Sequence, residues 1–308
     1  MARVKHWLEY ALTVTGARTA QLMSPAMADR CGAALGTLVW RLAKSRRAIA
    51  LDNLAKAFGG AIPVEERPEI VHRVFQNIGR TMFEFARFRN TNHERIREII
   101  TGPGEDILKR VHAEGKGGIL VTAHFGNWEL MGSWIAACGY EMDFLTGTQH
   151  NQKVNSVVQD FRKYQGAGII PLATSPRQVF KVLKANHFTG IASDQHAASG
   201  GVILDFMGRP ASTPRGPALF AIRAGCPLMP FVLRRERYDR HVIMHGDLVY
   251  PPNSGDEDAD IKEMTRAYTG FFESAIRQYP DQWMWTHRRW KVDYLKSADA
   301  AQPTGMEK

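Results

Sequence analysis

Gly117-Gly118-Ile119-Leu120-Val121-Thr122-Ala123-His124-Phe125-Gly126-Asn127-Trp128-Glu129-Leu130-Met131-Gly132 is the stretch from which the rest of the chain can be read. Its apolar run is short and unbroken, as in a strand buried on both faces. The run ends on His124, turns through Gly126 and resumes with helical spacing near Trp128. A strand that hands over to a helix across a glycine turn is a building unit of α/β domains. The same break brings two reactive side chains to one rim of a sheet. His124 and Glu129 stand five residues apart on either side of it. A histidine there can take the proton of a substrate hydroxyl, and a carboxylate can hold the imidazole in the tautomer that does so.

Outward from this stretch, short apolar runs alternate with helical ones from about Ile107 onward. Strands are predicted at Ile119–Ala123, Met142–Leu145, Ile169–Leu172, Phe188–Ser193, Met229–Leu233 and His241–Met244. Helices are predicted between them at Trp128–Ala137, Lys153–Gln165, Arg177–Lys184 and Pro217–Ala224. The alternation predicts an α/β fold with a central, mainly parallel or mixed sheet flanked by helices. Ligands in such sheets bind beyond the carboxyl ends of strands. His124 stands at one such end, and Asp194, in Gly190-Ile191-Ala192-Ser193-Asp194-Gln195, at another. Upstream, Pro63 to Arg89 reads as a helix with Val71, Val74, Phe75, Ile78, Met82 and Phe85 on its core face. Arg80, Glu84 and Arg87 fall off that stripe and read as solvated. A last helix, Ile261 to Tyr279, closes the domain.

Residues 6–58 are helical in pattern, with Leu35, Leu38, Val39 and Leu42 on one face and Arg41, Lys44, Arg46 and Arg47 beside them. This N-terminal amphipathic region suits either a membrane interface or packing on the domain with a solvated basic face. The expected organisation is a membrane-associating region at 1–60, an α/β domain at 61–296 and a flexible tail at 297–308. Of the +9 net charge, residues 1–60 supply nine Lys/Arg against three Asp/Glu, so an anionic membrane or nucleic acid is a natural partner class. No uncharged run approaches the length of a bilayer-spanning helix. Glu9 and Arg18 interrupt what would be the apolar part of a secretory leader. The three cysteines, Cys31, Cys138 and Cys226, lack metal-ligand spacing and suit a reducing compartment.

Several chemistries lack their signatures. There is no Gly-x-Ser-x-Gly elbow, no Gly-x-Gly-x-x-Gly or phosphate-binding loop, and no paired-histidine zinc motif. The nucleophile is therefore expected from the substrate, and neither metal nor cofactor is expected. Arg162, on a predicted helix, reads as a solvated side chain. Two features keep two readings each. Gly200 to Pro210 is a glycine-bounded apolar stretch that suits an acyl pocket or plain core. Trp283, Trp285 and Trp290, with Arg288, Arg289 and Lys291, suit a packed aromatic terminus or stacking on lipid headgroups or bases.

Ala123-His124-Phe125-Gly126-Asn127-Trp128-Glu129 resembles the His-x4-Glu/Asp signature of glycerolipid-type acyltransferases, and more narrowly the lipid A biosynthesis acyltransferases. The resemblance extends through Arg46-Arg47 with Asn53-Leu54, Arg162 in Gln159-Asp160-Phe161-Arg162-Lys163, Asp194-Gln195, Phe206 to Ala211, and Pro280 to Lys291. Departures fall at His196, at Thr148 to Gln152 and at Ile203-Leu204-Asp205, positions that bear on acyl length and acceptor. The resemblance implies acyl transfer from acyl carrier protein to a hydroxyl of a lipid A precursor at the cytoplasmic face of a bacterial inner membrane. It implies His124 as general base, Glu129 as the group orienting it, and Arg162 and Asp194 as substrate-binding residues. Nucleic acid is not an expected partner under it. The rival readings are an acyl-CoA-dependent transferase acting on another glycolipid or an aminolipid, a non-catalytic membrane-binding protein, and a nucleic-acid binder.

Overall fold

Ser24 breaks the N-terminal helical run, its side chain accepting from the Met27 N–H just ahead of Pro25, and Ala43 breaks it again. The computed structural model, which describes residues 2–87, 91–147, 150–172 and 176–291, accordingly begins with three helices. These are α1 (Ala2–Leu22), α2 (Pro25–Leu42) and α3 (Lys44–Phe58). α4 (Arg67–Arg87) follows, then α5 (His93–Ile99), β1 (Ile100–Thr101) and α6 (Gly104–Ala113). The α/β part continues with β2 (Gly118–Thr122), α7 (Leu130–Ala137), β3 (Met142–Thr146), α8 (Gln152–Tyr164), β4 (Ala167–Pro171), α9 (Pro176–Lys184) and β5 (Phe188–Ala192). A hairpin, β6 (Val202–Phe206) and β7 (Arg209–Thr213), precedes α10 (Gly216–Ala224), β8 (Leu228–Arg237), β9 (Arg240–His245) and α11 (Glu257–Gln278). The tail expected at 297–308 lies outside the described residues, as do Thr148 and Gln149.

Seven strands form one sheet in the order β1-β9-β8-β2-β5-β3-β4. Only the β8–β9 pair is antiparallel; the other neighbours run parallel, so the sheet is mixed and mainly parallel, as predicted. β2 sits inside it, and its lack of hydrophobic alternation has a simple cause. Ile119 and Val121 enter the core on one face, while Leu120 enters the core on the other. All six predicted strands are present with ends shifted by a few residues. β1, α5 and α6 were not predicted; each is short, and β1 has only two residues.

The helical region does not simply lie on the surface. α2 crosses α4 so closely that a Cβ at Gly32, Gly36 or Gly79 would collide with the backbone of the other helix. Asn53 on α3 donates to the carbonyls of Trp285 at 2.8 Å and His287 at 2.6 Å, tying the N-terminal helices to the C-terminal segment. α4 corrects the predicted stripe. Met82 is exposed, whereas Asn77, Thr81 and Glu84, spaced four and three residues apart, are buried. The helix therefore carries a polar inner stripe beside its apolar one, and that stripe faces the site described next.

Candidate active site

Parallel pairing of β2 with β5 determines which residues meet at the carboxyl edge. Thr122 pairs with Ala192, and the Ser193 N–H donates to the Thr122 carbonyl at 2.9 Å. Two residues past each strand end, His124 and Asp194 come into contact. Asp194 Oδ1 accepts from His124 Nδ1 at 2.8 Å. Asp194 Oδ2 accepts from the His124 backbone N–H at 2.9 Å and from Trp283 Nε1 at 2.7 Å. With Nδ1 as the donor, the neutral imidazole carries its lone pair on Nε2. Nε2 has no partner among the described residues, and the His124 side chain keeps 23 % of its surface while that of Asp194 keeps 2 %.

This arrangement corrects one expected role. Glu129 was expected to hold the imidazole, but the carboxylate hydrogen bonded to His124 is Asp194. Glu129 instead accepts a fork from Arg162, Nε to Oε2 at 2.9 Å and Nη2 to Oε1 at 2.7 Å. A bidentate fork of this kind is among the stronger protein ion pairs. Glu129 occupies the N-cap position of α7, where a carboxylate also suits the helix dipole. Arg162 reaches it from the last turn of α8 and is not solvated; Nη1 is left without a partner among the described residues. The four residues singled out from sequence thus form two pairs, His124–Asp194 and Glu129–Arg162, joined through the turn at 125–129. Trp128 lies between them, its ring edge-on to His124 at 5.3 Å and its Nε1 donating to Glu129 at 3.2 Å.

Charge sets the behaviour of the histidine. Burial disfavours the imidazolium, but the charge and hydrogen bond of Asp194, helped by the charge of Glu129, outweigh it and raise His124 above the ordinary imidazole range. Burial likewise works against ionised Asp194, yet His124 and Trp283 hold its carboxyl below the usual range. The neighbouring His287 is pushed down by burial, and its Nε2 accepts from the His196 N–H at 3.1 Å. Among the described residues no group of three or more His, Cys, Asp or Glu side chains could hold a metal ion.

The C-terminal segment supplies a wall that sequence reading left ambiguous. Trp283, Trp285 and Trp290 are all buried, so they form a packed terminus and present no ring to a lipid or a base. Trp283 and Trp285 meet edge to face at 4.5 Å, and Trp283 and Trp290 both pack on Phe206 of the hairpin. Arg289 is buried as well, spanning Ser212 and Thr213 of β7 and stacking on Phe206. Burial pushes its guanidinium down to about 10. The Gly200–Pro210 stretch therefore serves as one wall of this core, while Ile203 remains exposed. Two contributors were missed from sequence: Trp283 as a donor to Asp194, and Glu84, which is buried against Arg235 and Asn127 and not solvated. A carboxylate one helical turn from Thr81 and two from Asn77 was the available signal for the second.

Known proteins share this pattern along most of the chain. The family model described as bacterial lipid A biosynthesis acyltransferase matches residues 2–292. A phosphatidylinositol mannoside acyltransferase of Mycobacterium tuberculosis is 28% identical over 266 residues, covering 80% of this chain and 78% of the relative. The lipid A biosynthesis lauroyltransferase of Escherichia coli is 26% identical over 277 residues, covering 85% of each chain. The lipid A biosynthesis palmitoleoyltransferase of the same organism is 23% identical over 264 residues, covering 85% of this chain and 84% of the relative.

Proposed function

The chain belongs to the bacterial lipid A biosynthesis acyltransferase family, and on that footing we propose that it transfers a fatty acyl group from a thioester to a hydroxyl of a membrane glycolipid, with His124 as general base. The observation that carries this reading is the His124–Asp194 pair at the carboxyl edge of β2, with Nδ1 engaged and Nε2 unpartnered among the described residues. Nε2 takes the proton of the acceptor hydroxyl as its oxygen attacks the thioester carbonyl carbon. Asp194 holds the tautomer and stabilises the imidazolium, as the acid of a hydrolase triad does. When the tetrahedral adduct collapses, the carbon–sulfur bond breaks and the imidazolium returns its proton to the departing thiolate. The adduct's oxyanion needs donors. Arg162, steadied by Glu129 and with Nη1 unused among the described residues, is one candidate, and the Gln195 amide, 3.4 Å from the His124 ring, is another.

For the donor and acceptor, the finer reading is acyl carrier protein and a lipid A precursor, with lauroyl and palmitoleoyl transferases among the relatives in support. The net charge of +9 suits docking of an acidic carrier. A second reading, acyl transfer to a mannosylated inositol lipid, draws on the 28% identity with the mycobacterial enzyme. Attachment to an anionic membrane surface is supported by exposed Leu35, Leu38, Val39 and Leu42 beside exposed Arg41, Lys44 and Arg46. Among the described residues no helix is long and apolar enough to cross a membrane.

Purified protein offered acyl carrier protein and coenzyme A thioesters, each with a lipid A precursor and with a mannosylated inositol lipid, separates the readings by mass spectrometry. The first reading expects an ester on the lipid A precursor with the carrier-protein donor preferred. A preference for the mannosylated inositol lipid establishes the second, and a preference for the coenzyme A thioester overturns the carrier-protein donor. Absence of ester in every combination overturns both.

A further inference from the structure

Behind the turn that carries His124 and Glu129 lies a polar cluster that the chemistry above does not use. Glu84 on α4 and Arg235 on β8 form a close ion pair, with side-chain exposures of 10 % and 5 %. The other carboxylate oxygen of Glu84 accepts from Asn127 Nδ2 at 2.5 Å. Arg235 Nη2 donates to Thr81 Oγ1 at 3.0 Å, and Thr81 in turn donates to the Gly126 carbonyl at 3.0 Å. The Arg235 backbone exchanges two bonds with the Gln282 side chain, each 2.8 Å, and the Gln282 carbonyl accepts from the Gly126 N–H at 2.9 Å. The Asn127 N–H donates to Leu233 at 3.2 Å, and the His124 carbonyl accepts from the Met284 N–H at 3.0 Å. Three elements distant in sequence, α4, β8 and the segment after α11, thus converge on Gly126 and Asn127.

We propose that Glu84 and Arg235 are positioning residues, clamping the Gly126-Asn127 turn so that the His124 imidazole and the Glu129–Arg162 fork keep one fixed relation. The inference rests on His124 being the base. Stability alone does not account for the pair. Each buried ion gives up its solvation on folding, and an apolar pair of similar volume often serves folding as well or better. What an apolar pair cannot do is direct both oxygens of one carboxylate, one to an amide on the turn and one to the arginine that reaches Thr81. The clamp's target is a backbone that needs it. Gly126 has φ of +54°, and among the described residues the only side-chain hydrogen bond made by its two flanking residues is the one from Asn127 to Glu84 on α4. Burial raises Glu84, and the charge and hydrogen bond of Arg235 oppose that rise.

The test is the apolar double variant E84M/R235M, measured beside Glu84→Gln and His124→Ala in the full-length protein. The double variant is expected to fold, with kcat for acyl transfer about 10- to 100-fold lower, as for a small misplacement of a catalytic group. KM for the donor should change less than kcat, and the acidic limb of the pH profile should move, because the distance from His124 to the Glu129 charge is no longer fixed. Glu84→Gln keeps an acceptor for Asn127 and should recover part of the lost kcat. Wild-type kcat and pH profile in a folded double variant would overturn the proposal. Should the double variant not fold, wild-type behaviour of Glu84→Gln in both readouts would do the same. If folded His124→Ala turns over normally, the general-base reading fails; if it is inactive while the double variant matches wild type, only the clamp fails.

Discussion

His124 owes its reactivity to a neighbour 70 positions away in sequence. With Asp194 on Nδ1, the lone pair is on Nε2 and the imidazolium is favoured. Since the base must be neutral to act, a raised pKa puts the acidic limb of kcat above the ordinary imidazole value of about 6.5. Asp194→Asn removes the charge that raises it and leaves the burial that lowers it. The limb should then move to lower pH while kcat falls about 10²- to 10⁴-fold, as when the acid of a triad becomes an amide. A pH–rate profile of the two proteins checks both directions. Glu129 and Arg162 act as one unit, so Glu129→Ala and Arg162→Ala should each lower kcat, with the double variant little worse than either single one. Additive losses in that cycle would mean that the residues work separately. The pairing itself was half legible. His124 and Asp194 were both visible as residues beyond strand ends, but only the β2–β5 adjacency, which periodicity does not give, shows that they touch. Nearness in sequence points to Glu129 as the orienting acid, and spacing along the chain cannot rank a neighbour against a residue on the next strand.

At the scale of elements, the turn between β2 and α7 decides the geometry. α7 starts at Leu130 and not at Trp128, because Gly126 and Asn127 are drawn into bonds with Gln282 and Leu233 before the helix can begin. Gly126 has a positive φ, and a Cβ there would run into the Leu233 carbonyl. Gly126→Ala should therefore destabilise the protein by about 3 kcal/mol or more, combining left-handed strain with overpacking against backbone that cannot yield. A denaturant titration measures this, and a loss under about 1 kcal/mol would mean that the turn is looser than its contacts imply. The strands were readable because a sheet covered on both faces leaves unbroken apolar runs. α4 was readable as a helix but not in its facing: polar residues at helical spacing signal either water or a buried network, and only tertiary contacts choose. Glu84 went to the network. The tryptophans near the C-terminus went the other way, into the core, where Phe206 and Arg289 meet them.

For the whole molecule, the layout sets a basic, apolar-studded corner of the N-terminal helices beside the segment that walls the site. Arg46 Nη1 donates to the Thr286 carbonyl at 3.3 Å, next to His287. A lipid acceptor approaching that corner would meet the same segment that holds Asp194. Replacing Arg41 and Lys44 by Glu should weaken binding to vesicles containing anionic lipid and flatten its dependence on salt, while thioester turnover with a water-soluble acceptor stays unchanged. Equal vesicle binding by the variant and wild type would remove this corner from membrane attachment. The most direct check on the central claim is the mass of the acceptor lipid after incubation with an acyl thioester and either wild-type protein or folded His124→Ala. General-base acyl transfer predicts the mass gain of one ester-linked acyl group with wild type and none with the variant. Equal acylation by the two proteins would contradict it.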